Sequence, residues 1–578
     1  MRSPMNTNAP ASMSEAAIAR PRASVVLLAL LLSLHFGVGL HTAWSKTVTH
    51  DEIWHLPVGL LHWRTGEFDQ DVLNPPLTRL WAAIPAAVAG VKIENGVDAT
   101  DIAQKFVRDH DDCQTWYFWG RALNLVCSLM TAVLVWQWAS AWFGRSAGLM
   151  AAALVGTSPN IVAHSSLVTP DAGLMLGFTA TLWLFVRWRD QRSWRTAVGL
   201  GVVLGLTQAT KFTAILLYPL LALLLLLYRP RHDSSVNHAH TQGPVRTLLQ
   251  SAAILLLSLC FWNAPFLFRG AGTPLSDYVA RSSTLQTVQT LAGPLAQFPL
   301  PLPRDYIVGI DLQRAVMEQP HPIYLNGEWS VTGFPDYFLR TLEYKLPHIT
   351  QLLIVPGLLT LLLGRALPGR FQKLAILLVP TIGLVTIASF SSLQLGVRYL
   401  LPVLPLLLIT GSAVGLLVDR LTPGLRRTTL VALLLLIVAS LRHHPHHLAY
   451  FNEWAGGPIG GRQHLLDSNL DWGQDLHLVH DFMWNHGLNE IGLVYYGTFP
   501  AGKLPIAFHI SQGRTPEPGW HAVSVNFVMG RPHLLREPDG TGRPADIYEF
   551  AYFQQYEPVA RLGYSIDVYY IPSVESSP

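Results

Sequence analysis

Apolar runs of about 15 to 22 residues recur along the chain, divided by polar or charged stretches. A helix of about 20 residues crosses the roughly 30 Å of bilayer hydrocarbon, where every backbone group must be satisfied internally. The pattern predicts an α-helical polytopic membrane protein with about eleven spans. The first extends from about Ala23 to Trp44, and others begin near Arg121, Ser146, Asp171, Thr196, Thr213, Thr247, Ile349, Phe371, Gly396 and Thr428. Residues 1–22 read as a disordered cytoplasmic leader carrying Arg20 and Arg22. No small-x-small cleavage site follows, which predicts an uncleaved signal anchor.

Residues 23–442 form the membrane part, and two of its connections are much longer than joining requires, at about 45–120 and 270–347. Long structured loops usually carry function. In the first, Leu77 to Val91 is apolar and alanine-rich behind a proline pair, which predicts a helix along the membrane surface. Residues 443–578 have ordinary polarity and no spanning run. Leu493 to Tyr496, Ala522 to Val528 and Tyr564 to Ile571 are rich in β-branched and aromatic residues, which predicts a small α/β domain.

Only 13% of residues are charged and mean hydropathy is +0.30, which agrees with the membrane assignment. Placing the N-terminus in the cytoplasm puts Arg145, then Arg187, Arg189, Arg192 and Arg195, then Arg229 and Arg231 in inner loops. Arg365, Arg370 and Lys373, and then Arg420, Arg426 and Arg427, follow on the same side. The short loops around His164 and Ser391 hold no Lys or Arg, as the positive-inside rule requires of the outer side. Both long loops and the C-terminal domain are then extracytoplasmic, in the cell inner membrane. The net charge of +3 is mostly loop arginine and implies no nucleic-acid partner. Cys127 and Cys260 fall in apolar spans, leaving Cys113 alone in a polar loop, so no disulfide framework is expected.

Asp51 and Glu52 are then carboxylates at the outer membrane surface, where ionised groups need solvation or partners. Asp51-Glu52 with His55 and Gly59, Gly66-Glu-Phe68 and Asn74-Pro-Pro-Leu77 resembles the first outer loop of polyprenyl-phosphate-sugar-dependent glycosyltransferases of the GT-C superfamily. That superfamily includes protein O-mannosyltransferases and bacterial aminoarabinose transferases of lipid A. Arg121, Thr169-Pro-Asp171, Ala209-Thr-Lys-Phe-Thr213 and Gly396-Val-Arg-Tyr-Leu-Leu-Pro402 resemble the same family. Leu448-Ala-Tyr-Phe-Asn-Glu453, Gly456-Gly-Pro458 and Asp467-Ser-Asn-Leu-Asp-Trp-Gly-Gln-Asp475 resemble a bacterial subgroup. The resemblance runs from Trp44 onward. In one departure, Asn74 stands where many members have His before the proline pair, and an amide supplies no positive charge to a phosphate.

The resemblance implies a membrane glycosyltransferase moving a sugar from a polyprenyl-phosphate donor to an extracytoplasmic protein, lipid or glycan acceptor. It implies inversion, with Asp51 as general base and Glu52 orienting the site or shaping its pKa. Asp171 is a second catalytic candidate. An acidic helix cap remains the alternative for Asp51, and a plain first-turn acid for Asp171. Arg121, Lys211 and Arg398 lie near outer span ends, where cations are out of place, and are candidates for the donor phosphate; headgroup snorkelling is the alternative. Asn74, Arg79 and Lys345 are weaker phosphate or lipid-donor candidates. Asp471, Trp472 and Gln474 suit acceptor or sugar contact.

The histidines at 50, 55 and 62 and at 443, 444, 446 and 447 lack zinc spacing and read as surface or interfacial. Asp467-x-Asn469-x-Asp471 departs from a calcium loop and reads as an Asx-stabilised turn. No cofactor is required by these residues; a divalent cation is possible but no metal site is predicted. Membrane lipids are expected partners. A transporter or lipid flippase with outer acids binding its cargo, and a non-catalytic membrane sensor, are the competing classes. No internal repeat is evident, which weakens a transporter built from inverted halves.

Overall fold

The computed structural model describes residues 14–228, 244–364, 367–420, 422–511, 517–536 and 542–573. Arg229, Arg231, Arg365 and residues 1–13 of the leader lie outside the described residues. The first helix is Ser14–Trp44, so residues 14–22, expected as unstructured leader, are helical. A helix corresponds to every expected span, but among the described residues four are long and apolar enough to cross a membrane, or up to six when each bent pair counts as one. The chain is a multi-pass membrane protein.

The bent pairs have a local cause. Arg145–Gly156 meets Pro159–Ser165 at 56°, and Tyr337–Lys345 meets His348–Leu363 at 114°. Pro159 and Pro347 lack the N–H that would continue each helix, and Leu346 before Pro347 is extended at ψ 135°. Glycines allow one close helix contact: a Cβ at Gly205 would stand 2.3 Å from the Ser258 carbonyl, and one at Gly201 2.9 Å from that of Ile254. Spaced four apart on Trp194–Gln208, they let Pro244–Asn263 pack backbone to backbone.

The first long connection folds into helices Glu52–Thr65, Leu77–Val88 and Ala99–Asp109. In Leu77–Val88 the residues Thr78, Arg79, Ala82, Ala83 and Ala86 are buried, so the expected apolar helix packs inward on one side. The second connection holds helices Ser283–Ala292 and Arg304–Met317 and a hairpin of β1, Ile323–Leu325, and β2, Glu328–Ser330. Helix Leu476–His486 leads into a five-stranded mixed sheet. Its strands are β3 Ile491–Val494, β4 Phe508–His509, β5 Gly519–Ser524, β8 Ala560–Leu562 and β9 Ile566–Ile571, in the order β4-β3-β5-β9-β8. A separate hairpin pairs β6 Leu534–Arg536 with β7 Gly542–Pro544. The expected strand through Val528 ends earlier, because Val525–Val528 turns helical.

Residues after Trp44 tie sheet and membrane helices together. Thr47 N–H donates to the Gln474 carbonyl and His50 N–H to that of Trp472, each at 2.9 Å. Lys46 Nζ reaches Asp475 at 2.5 Å. These bonds bring Asp51 against a segment more than 400 residues later in the chain.

Candidate active site

Asp51 occupies the N-cap position of Glu52–Thr65, but its side chain makes no capping bond. It instead accepts from Arg398 Nη1 at 2.8 Å and is 30% exposed, so the carboxylate is paired and still reachable. Arg398 is fixed from both sides. Gly396 has φ +98°, a conformation that favours glycine, and a Cβ there would fall 2.4 Å from the Asn469 amide. Val397 N–H donates to that same Asn469 at 3.0 Å, and the Arg398 guanidinium stacks 4.4 Å from the Trp472 ring centre.

Beside this pair, Asp171 opens helix Asp171–Gln191 and accepts from Lys211 Nζ at 2.6 Å, again without capping. The first-turn position of Asp171 is real, but its carboxylate serves Lys211. Lys211 lies 4.8 Å from the Tyr399 ring centre, and Arg398 lies 5.7 Å from the same ring. Two acid–base pairs therefore flank one tyrosine. Asp171 Oδ2, Arg398 Nε and His164 Nδ1 are buried and have no protein partner among the described residues. Buried polar atoms are seldom left unpaired, so their concentration here marks a place suited to polar ligand groups.

The other sequence candidates are engaged differently. Glu52 is fully buried and receives Arg121 through two bonds, at 2.8 and 2.6 Å. It also accepts from the Thr49 amide and hydroxyl and from the Val168 amide, while Arg121 donates to the carbonyls of Ala43, Lys46 and Thr47. All five N–H groups of Arg121 and both oxygens of Glu52 are thus bonded within the protein. Lys345 is likewise buried, donating to the carbonyls of Leu448 and Asn469 at 3.0 and 2.7 Å, so it fastens backbone rather than phosphate. Arg79 is held by Asp71 at 2.6 Å and donates to His55 Nδ1 at 3.1 Å. Asn74 lines a narrow cleft with Phe212, Asp305 and Tyr306.

The residues expected to contact acceptor or sugar are bonded within the protein. Gln474 is buried, accepting from the Trp472 amide and donating to the Leu470 carbonyl. Asp471 is buried, accepting from the Gly473 amide at 2.9 Å and from Ser524. Trp472 is buried too, and its contact with Arg398 makes it a support for the site. The expected Asx turn is present in the Gly473 to Asp471 bond.

Sequence reasoning missed the groups around His50. Its ring stacks on Tyr496 at 5.8 Å, and the Tyr496 hydroxyl donates to Asp467 at 2.9 Å. Burial raises the Asp467 carboxyl, but Arg531 at 2.5 Å and Arg398 outweigh it and hold the pKa at about 2. Asp471 is governed by burial, which pushes it up to about 7 against the bonds from Ser524 and Gly473. Tyr399 lies within a quoted motif, where its adjacency to Arg398 was the available signal. The histidine run is not superficial: His443 and His447 are buried, and His41, His444 and His447 form a chain of contacts at 2.6 and 3.1 Å. Among the described residues no group of three or more His, Cys, Asp or Glu converges on a metal position.

Residues 118–257 match the family model described as dolichyl-phosphate-mannose-protein mannosyltransferase. No curated protein matches the chain. Among solved structures, ArnT from Cupriavidus metallidurans bound to undecaprenyl phosphate aligns at 12% identity over 96% of this chain and 99% of its own, with a TM-score of 0.45. AglB from Archaeoglobus fulgidus, an oligosaccharyltransferase in complex with an inhibitory peptide and a dolichol-phosphate, aligns at 12% identity over 94% and 76%, with a TM-score of 0.46. The S. cerevisiae Pmt1-Pmt2 complex bound to the sugar donor aligns at 18% identity over 43% and 33%, with a TM-score of 0.32.

Proposed function

We propose, on the premise that this chain is a polyprenyl-phosphate-sugar-dependent glycosyltransferase of the GT-C superfamily, that Asp51 is its general base and Arg398 its principal phosphate partner. The enzyme reading replaces the transporter, flippase and sensor alternatives. The observation that carries the assignment is the Asp51–Arg398 pair, a reachable carboxylate 2.8 Å from a guanidinium. Glycosyl transfer from a lipid phosphate needs both: a carboxylate to take the proton of the attacking hydroxyl, and fixed positive charge where the leaving phosphate gains negative charge.

A carboxylate accepts a proton from the attacking hydroxyl, and Asp51 is bonded to Arg398 through Nη1. The guanidinium is planar and presents several donors, so it can serve phosphate oxygens from the same position. Lys211 adds a second positive charge across Tyr399, and Asp171 holds that lysine in place while offering its unpartnered oxygen to a sugar or acceptor hydroxyl. Attack on the face opposite the phosphate inverts the anomeric carbon. The site faces the extracytoplasmic side of the inner membrane, with the N-terminus in the cytoplasm and the polyprenyl chain against the spans. The acceptor is a protein, lipid or glycan hydroxyl.

The test uses purified full-length protein with undecaprenyl phosphate as the binding probe and labelled undecaprenyl-phosphate sugars for transfer. Arg398→Gln is expected to weaken lipid-phosphate binding by about tenfold or more. Equal affinity in Arg398→Gln and wild type contradicts the phosphate assignment.

A further inference from the structure

The loop from Asp467 to Trp472 is clamped to the C-terminal sheet by one side chain. Asn526, fully buried in the helical turn that follows β5, accepts from the Asp467 N–H at 2.9 Å through Oδ1 and donates to the Asp471 carbonyl at 2.9 Å through Nδ2. A single amide thus closes both ends of the loop. Between those ends the loop grips the stretch that carries Arg398. Ser468 Oγ donates to the Leu395 carbonyl, Asn469 Oδ1 accepts from the Val397 N–H at 3.0 Å, and the Trp472 ring centre lies 4.4 Å from the Arg398 guanidinium. The Asn469 amide has one orientation, because its Nδ2 donates to the Leu466 carbonyl at 3.0 Å, and turning it over would set two donors face to face at Val397. Asn469 is itself fully buried, so it meets the site through Arg398 alone.

Resting on the glycosyltransferase reading above, we infer that Asn469 is a positioning residue for Arg398, and that through it the C-terminal sheet sets the phosphate site. An arginine has a long, rotatable stem, so its guanidinium meets a phosphate in one geometry only where backbone and plane are both held. Asn469 holds the backbone one residue before Arg398, and Trp472, three residues on in the same loop, holds the plane. Glycine at 396 lets the two segments meet, since a Cβ there would fall 2.4 Å from the Asn469 amide. Asn526, the loop and Val397 form an unbroken chain of contacts, and a double-mutant cycle measures whether placement passes along it.

The test uses full-length protein in lipid nanodiscs, with undecaprenyl phosphate as the binding probe. Asn469→Ala is expected to weaken binding by about fivefold in the wild-type background and to cause no further loss in Arg398→Gln. A loss of the same size in both backgrounds overturns the inference, because Asn469 would then act without Arg398. Wild-type affinity in Asn469→Ala overturns it too. Ser468→Ala removes only the bond to Leu395 and leaves the Asn526 clamp, so it carries the same test with little disturbance of folding. Its loss should be smaller and again absent in Arg398→Gln, and an equal loss in both backgrounds counts against the inference. The same cycle in single-turnover sugar transfer reads the placement of Arg398 against Asp51. Unchanged lipid-phosphate affinity in Arg398→Gln alone defeats the phosphate assignment instead, and the transfer cycle then decides the positioning role by the same two results.

Discussion

Asp51 and Glu52 are neighbours in sequence, and each meets an arginine, yet the two pairs are bonded in opposite ways. Glu52 has both oxygens bound by Arg121, takes three more donors from Thr49 and Val168, and is closed to solvent. Asp51 accepts from Arg398 through Nη1 and stays partly exposed. A saturated buried pair fixes the junction between Ser14–Trp44 and Cys113–Phe143; an unsaturated, reachable pair can exchange partners. Both are carboxylate–arginine pairs, and the remaining hydrogen-bond capacity is what distinguishes them.

The sharpest way to break this contrast is to neutralise each acid by one isosteric step. Glu52→Gln leaves the Arg121 charge buried and uncompensated, an effect of about 3–5 kcal/mol in stability. Asp51→Asn is expected to unfold at nearly the wild-type temperature, and thermal unfolding in one detergent compares them directly. A similar loss for both would erase the distinction. Next, Glu52→Gln combined with Arg121→Met removes both charges, and stability is expected to recover relative to Glu52→Gln alone. Further loss in the double variant would show that Arg121 does not act through Glu52.

Lys345 extends the comparison to a cation without an acid. Lys345→Met leaves two buried carbonyls without their donor and is expected to cost about 1–3 kcal/mol. Its undecaprenyl-phosphate affinity should match wild type, whereas a loss like that of Arg398→Gln would restore Lys345 to the phosphate site.

The smallest effect concerns Asp471. Its folded pKa of about 7 lies above the unfolded value near 3.9, so the folded state holds a proton that the unfolded state releases. This group's contribution to stability is full below about pH 4, falls as pH rises to about 7, and is level above. Asp471→Asn removes that dependence, so the difference in unfolding temperature between variant and wild type should shift in favour of the variant from pH 4 to 7. A constant difference would mean that Asp471 titrates normally.

Much of the architecture was legible because the bilayer imposes a length and a polarity on each helix, as at Ala23 to Trp44 and Phe371 onward. The bends at Pro159 and Pro347 and the shortness of Trp194–Gln208 keep the number of crossings from following directly from apolar length. Displaced cations were also visible, but not which of them were consumed. Arg121 and Arg398 look alike in sequence, whereas three carbonyls and Glu52 occupy one and a single carboxylate bond holds the other. Partners such as Asp51 and Arg398 lie 347 positions apart, so no local pattern joins them. Asp471, Trp472 and Gln474 suit sugar contact in the sequence because acids beside a tryptophan suit carbohydrate. Their burial depends on the bonds from residues 47–50, which only the folded chain reveals.

The most direct test of the central claim is single-turnover sugar transfer by Asp51→Asn, measured with the affinity of the same preparation for undecaprenyl phosphate. General-base removal typically costs about 10²–10⁴ in rate, so transfer should fall by that order while lipid-phosphate binding persists. Transfer at the wild-type rate with binding intact would contradict the assignment of Asp51 as the base.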